Sequence, residues 1–257
     1  MRVSLLACLA FIFSSCNSSG KKNPNQSMDD TARMNDPNHI VNISTVNMAV
    51  GDIPSSIKIK GQVQEALKWN DNLGENIFIT SYMAPYDDKD EQYGEDGQTA
   101  ELHAYHYAKK EGNYREVWTL NEVEKACPFD ITCEFIPGST TVTDMDKDGI
   151  AETKVQYAMA CRSDVSPAAM KLLMNENGTK YMLKGNRWLA YSPEIKFNVT
   201  DSNVNLAILP KLKDETEEML RSFGRYENEK DFAGAPSPFL FYARTEWLKH
   251  VKEKIGE

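Results

Sequence analysis

The chain has 257 residues, with 29 Lys and Arg against 38 Asp and Glu and a formal net charge of −9. Such an acidic surface gains nothing from a phosphate backbone, which argues against nucleic acid as a partner and favours cations.

Residues 1–20 read MRVSLLACLAFIFSSCNSSG. Arg2 supplies a positive start, and Val3 to Phe13 form an apolar run of eleven residues broken only by Ser4. That length suits a signal peptide and falls short of the ~20 residues a spanning helix needs. Phe13-Ser14-Ser15-Cys16 resembles a bacterial lipobox, which implies removal of residues 1–15 and acylation of Cys16. Acyl chains together anchor stably where a single one binds marginally, so the implied partner is a membrane, reached without a spanning helix. Asn17 is not the Asp that signals inner-membrane retention in some bacteria, so the expected location is the outer membrane, on either face. Loss of residues 1–15 takes away one positive charge, Arg2, and leaves 242 residues at −10.

Residues 16–39 are polar and lack an aromatic side chain before His39, and they read as a flexible lipidated tether. Asp30-Thr31-Ala32 fits a short bacterial O-glycosylation pattern, although chance explains three residues more often. Residues 40–257 then carry the globular domain.

Four hairpin signals follow. Val63 to Trp69 and Asn76 to Tyr82 flank the turn residues Asn70 to Glu75. Leu102 to Tyr107 and Tyr114 to Leu120 flank Lys110-Glu111-Gly112-Asn113. Phe135 to Val142 and Ile150 to Tyr157 flank an acidic loop. Met170 to Met174 and Lys180 to Lys184 flank Asn175 to Gly178. Between the first two lies PYDDKDEQYGEDGQ, residues 85–98, which lacks ligand spacing and reads as a solvated loop. Near the end, Asp214 with Glu217 forms a capping box before Met219, Leu220 and Phe223, and Gly224 stops that helix. Ser237-Pro238 opens a second helix with Leu240, Ala243, Trp247, Val251 and Ile255 on one face. A strand at 239–243 followed by a shorter helix from Thr245 competes with it. The expected class is α+β and β-rich: an antiparallel meander of hairpins with two C-terminal helices.

The acidic loop TDMDKDGIAE, residues 143–152, carries the clearest chemistry. Asp144, Asp146 and Asp148 alternate, Gly149 permits a sharp turn, the Ile150 carbonyl is a candidate backbone ligand, and Glu152 follows. Hard calcium takes 6–8 oxygens from carboxylates and carbonyls. Three carboxylates ~4 Å apart repel by about 1 kcal/mol per pair in water and about 4 at an effective dielectric of 20, so a cation is expected among them. The loop resembles the first nine positions of an EF-hand, but position 12 is Val155 where that family has a bidentate Glu. Thr153 to Tyr157 alternates as a strand, so the loop is more similar to the strand–loop–strand calcium loops of FG-GAP propeller repeats. A single copy argues against a propeller.

Of five cysteines, Cys8 leaves with the signal and Cys16 is lipidated, so Cys127, Cys133 and Cys161 remain. Folding the acidic hairpin about residues 146–147 brings Cys133 near Cys161; Cys127 with Cys133 and Cys127 with Cys161 are the other pairings. His103 and His106 fall on opposite faces of a strand, which argues against a shared metal. Arg162 to Pro167 reads as an Asx or Ser turn.

The stretches LKWNDNLGENIFI, CPFDI, TDMDKDGIAE, CRSDVSP and KYMLKG, in this order, resemble a family of small bacterial surface lipoproteins often named for surface polysaccharide biosynthesis. The likeness spans residues 60–185. It implies a disulfide between Cys127 and Cys161, with Cys133 an addition, and a surface-polysaccharide setting without a reaction. The expected function is that of a non-enzymatic, calcium-stabilised envelope lipoprotein, a binding or assembly factor for glycan or envelope protein. Trp69, Trp118, Trp188 and Trp247 could stack on sugars but fit a core better. The alternatives are a glycan-processing enzyme, which needs two carboxylates about 5–10 Å apart in a cleft, and an inhibitor of a secreted hydrolase. The sequence holds no Gly-x-Ser-x-Gly, His-Glu-x-x-His or Walker loop.

Overall fold

The computed structural model describes residues 42–89, 96–190 and 196–253. The signal segment, Cys16 and the tether lie outside them. So does Ile255, the last position of the stripe expected on the final helix. Among the described residues, ten strands form two antiparallel sheets and two α-helices follow, giving a β-rich α+β fold.

The N-terminal sheet runs β1 (Val46–Asn47), β2 (Gln62–Asp71), β3 (Gly74–Lys89), β4 (Asp96–Lys110) and β5 (Asn113–Cys127), paired in chain order. The C-terminal sheet has β6 (Asp130–Phe135), β7 (Thr141–Thr143), β8 (Glu152–Arg162), β9 (Ala169–Glu176) and β10 (Thr179–Asn186), in the order β10-β9-β8-β6 with β7 also on β8. All four expected hairpins form. The β4–β5 and β9–β10 turns supply the backbone that a two-residue connection demands, with Glu111, Gly112, Asn177 and Gly178 at positive φ.

The expected loop over 85–98 is corrected at its two ends, and residues 90–95 lie outside the described residues. Tyr86 to Lys89 pair with Asp96 to Thr99, so β3 and β4 extend through the acidic stretch on both sides of the undescribed residues. A bulge between Met83 and Tyr86 shifts the register there. Asp88 accepts a hydrogen bond from the Thr99 hydroxyl at 2.7 Å, which ties one of these acids into the ladder.

The two sheets face each other. Trp69, Phe78, Leu102 and Trp118 pack against Val155, Tyr157 and Leu173. The outer face of the N-terminal sheet, with Ile77, Ile79 and Tyr105, is covered by Met48, Ile53, Ile57 and Ile59. Both faces of β3 are therefore buried, which explains the unbroken Ile-Phe-Ile run at 77–79. Ser81 donates to the Lys60 carbonyl at 2.6 Å and fastens that cover.

The outer face of the C-terminal sheet is closed by the helical end of the chain. α1 (Glu215–Arg221) is capped by Asp214, whose carboxylate accepts from the Glu217 N–H at 2.9 Å, and Gly224 follows at φ +78°. α2 (Ser237–His250) is one continuous helix with Pro238 in its first turn, so no strand forms at 239–243. Its Phe239, Ala243 and Trp247 pack on Met170, Leu172 and Leu183. On the same face Glu246 pairs with Lys154 of β8, and both are almost wholly buried. Burial alone would raise the Glu246 carboxyl; His250, Lys154 and Lys249 outweigh it and hold it at about 2. Trp69, Trp118 and Trp247 are core residues, and only Trp188 remains partly open. No described helix is long and apolar enough to cross a membrane.

Candidate metal centre

The acidic loop connects β7 to β8. Thr143 pairs with Glu152 across the two strands, so the loop from Asp144 to Ala151 must reverse the chain. Lys147 and Gly149 take positive φ, 62° and 85°, to do so. Asp148 folds its carboxylate onto the Ile150 N–H at 2.7 Å, and Asp146 accepts from the Asp148 N–H at 3.3 Å. These are short Asx turns, formed by residue types that favour them.

A second turn is docked on this loop. The β2–β3 connection presents Asn72, whose backbone N–H donates to the Gly149 carbonyl at 2.8 Å and whose side chain donates to the Asp148 carbonyl at 3.0 Å. Asp71 beside it accepts from the Ala151 N–H at 3.1 Å, and also from Trp69, Leu73 and Asn76. Its oxygens are spent on holding the junction.

The loop gathers Asp144, Asp146 and Glu152, with one oxygen from each within 4.8 Å of the others. Asp146 and Asp148 form a second such group with Glu176. Sequence reading missed Glu176. The register Thr153 opposite Asn175 puts Glu176, at the end of β9, beside the start of β8, one step along the ladder toward Glu152. Like charges placed directly across strands destabilise a sheet. The missed signal was topological: in an up-and-down meander alternate turns share one end, so the β9–β10 turn lies beside the acidic loop. The Ile150 carbonyl is not among the groups that this carboxylate geometry tests.

The electrostatics are strained without a counter-charge. Glu152 is 1 % exposed and accepts from the Thr143 hydroxyl at 2.7 Å and the Met145 N–H at 3.1 Å. Burial nevertheless pushes its carboxyl up to about 8, against those hydrogen bonds. Burial, then the charges of Asp146, Asp148 and Asp144, push Glu176 up to about 7. Asp146 is raised as well, first by burial. One oxygen each of Asp144 and Glu176 is buried without a hydrogen-bond partner among the described residues. All-carboxylate donors, inward-facing and short of partners, suit a hard divalent cation and could hold one.

The other candidates resolve separately. Cys127, at the end of β5, is bonded to Cys161 near the end of β8, and so links the two sheets. The alternative of Cys133 with Cys161 is corrected: Ile131 lies opposite Cys161, while Cys133 faces Met159 and is a buried free thiol. Residues 136–140 form an excursion between β6 and β7, which displaces the register that a simple hairpin would have. His103 bonds Asn121 and His106 bonds Asn76. Ser166 donates to Asp164 through its N–H and hydroxyl, as an Asx turn. Comparisons of the chain with protein-family models, curated proteins and solved structures return no match.

Proposed function

We propose that the acidic loop binds one calcium ion, and that the protein is a non-enzymatic envelope lipoprotein serving in binding or assembly at the cell surface, in a surface-polysaccharide setting. The observation that carries the metal is a pair of adjoining carboxylate groups, Asp144 with Asp146 and Glu152, and Asp146 with Asp148 and Glu176, that share Asp146 and hold two orphaned oxygens. Calcium fits better than magnesium because the donors are many and carboxylate-only; magnesium keeps several waters and uses one or two carboxylates. The Ile150 carbonyl would complete the set. The ion's role is structural. It would clamp the β7–β8 loop to the β9–β10 turn, beside the docked β2–β3 turn. The lipobox-like Phe13 to Cys16 supports acylation at Cys16 and an outer-membrane location. The sequence likeness to surface lipoproteins supports glycan or envelope protein as the partner class.

The metal is tested by equilibrium dialysis and thermal unfolding of the purified protein. At 100 times its dissociation constant, a bound ion adds about 2.7 kcal/mol of stability, several degrees in Tm for a chain of this size. Asp144→Ala with Asp148→Ala should erase that gain. Absence of bound metal at millimolar calcium would sink the reading. Labelling with palmitate, lost in Cys16→Ser, tests the anchor.

A further inference from the structure

A second feature lies in the helical end of the fold, on elements that do not contribute to the acidic loop. A cleft of about 380 Å³ opens between α1 and the segment after β10. That is within the ~300–1,000 Å³ common for small-molecule sites. Trp188, Leu212 and Leu220 give it apolar walls. Leu212 and Leu220 are 39 % and 45 % exposed, so apolar surface stands open to water here.

Its polar groups are mostly cationic: Lys196, Arg221 and Arg225, against one lining carboxylate, the exposed Glu217. Arg221 is neutralised by Glu218 at 2.5 Å. Arg225 differs. It is 8 % exposed, its Nε donates to the Asn203 carbonyl at 2.8 Å, and its Nη1 donates to the Arg221 carbonyl at 2.7 Å. Among the described residues no carboxylate pairs with it. Carbonyls satisfy hydrogen bonds but leave the charge itself uncompensated, and a buried charge calls for a counter-ion. In a chain of net charge −9, this local positive excess beside open apolar walls is selective.

We propose that this cleft binds a small organic anion, an apolar body ending in one carboxylate. The carboxylate sits against Arg225 and Lys196, and the body covers Trp188, Leu212 and Leu220. The site stands apart from the calcium reading, and chelator should leave its binding unchanged.

The test uses the purified protein, with 3-phenylpropionate as probe and 3-phenyl-1-propanol as its uncharged counterpart. Trp69, Trp118 and Trp247 are 2 %, 4 % and 0 % exposed, so a change in emission on titration reports Trp188. The acid should give a saturable change, with the alcohol roughly tenfold weaker or more, as expected for a lost charge-assisted bond. Lys196→Gln should weaken the acid severalfold, and Arg225→Gln should abolish the preference for acid over alcohol. If Arg225→Gln does not fold, the Lys196 variant and the acid–alcohol comparison decide. No saturable response to the acid at millimolar concentration, equal binding of acid and alcohol, or an unaffected Lys196→Gln would each overturn the proposal.

Discussion

Asn72 donates its backbone N–H to the carbonyl of Gly149 at 2.8 Å, joining the β2–β3 turn of one sheet to the acidic loop of the other. The contact leaves no room for a side chain at 149. A Cβ there would lie 2.1 Å from the side-chain Nδ2 of Asn72, on a backbone at φ +85°. Both effects select glycine, one by local geometry and one by tertiary approach.

Gly149→Ala should therefore destabilise by about 1–3 kcal/mol, from left-handed strain plus the clash. Thermal unfolding checks it. Adding Asn72→Ala relieves the clash, so the double variant should lose less than the two single losses together. Strict additivity would mean that the two turns are not in contact.

Glu176 is the sharper test of the carboxylate cluster, because it lies outside the loop. Glu176→Gln keeps the shape and removes a charge. It should weaken calcium binding by roughly tenfold or more, by analogy with other charge-assisted contacts. Calorimetric titration reads the change, and an unaltered dissociation constant would remove Glu176 from the site.

The pH dependence has a definite sign. In the metal-free protein Glu152 and Glu176 titrate at about 8 and about 7, above their ordinary 4.5. Between these values the folded state binds more protons than the unfolded one, so stability falls as pH rises. Glu75 and Glu246, both held at about 2, titrate below that window. His106, lowered by burial to about 4 from 6.5, opposes the trend between those values, and Lys154, lowered by burial to about 8, opposes it only above that pH, so the fall is cleanest from pH 6.5 to pH 8. In chelator, Tm should drop from pH 6.5 to pH 8. Calcium replaces those protons, so its stabilisation should grow over the same range. A gap between the two Tm curves that stays constant with pH would contradict the assignment.

The disulfide closes a span of 34 residues between the sheets. A loop of that length is worth about 4 kcal/mol in the chain-entropy account. Cys127→Ser with Cys161→Ser should cost a large part of that, read by denaturant unfolding. Cys133 is buried, and burial pushes its thiol up to about 12. It should react with iodoacetamide only after unfolding, and rapid labelling of the native protein would contradict its placement.

Much of this architecture is local and was legible in the chain. Period-two alternation, Asn-Gly and Glu-Gly turns, the Asp214 cap and the alternating aspartates each act over a few residues, so they read correctly without knowledge of the rest. The pairing of residues 86–89 with 96–99 was hidden because charged side chains at the far end of a hairpin look like a loop. Lys154 was hidden because only the arrival of α2, ninety residues later, buries it against Glu246. Glu176 and the choice of Cys127 over Cys133 depend on register between strands far apart in sequence, and a small shift in register changes the partner of every residue. The sequence alone therefore determined which segments pair locally and where acidic oxygens concentrate. The resemblance implied the Cys127–Cys161 pair that the structure holds, while hairpin spacing alone left the pairing open. Only the tertiary structure decided which distant carboxylate joins those oxygens and which spacing-allowed pair of thiols meets, because those follow from how two sheets and a helix share their buried faces.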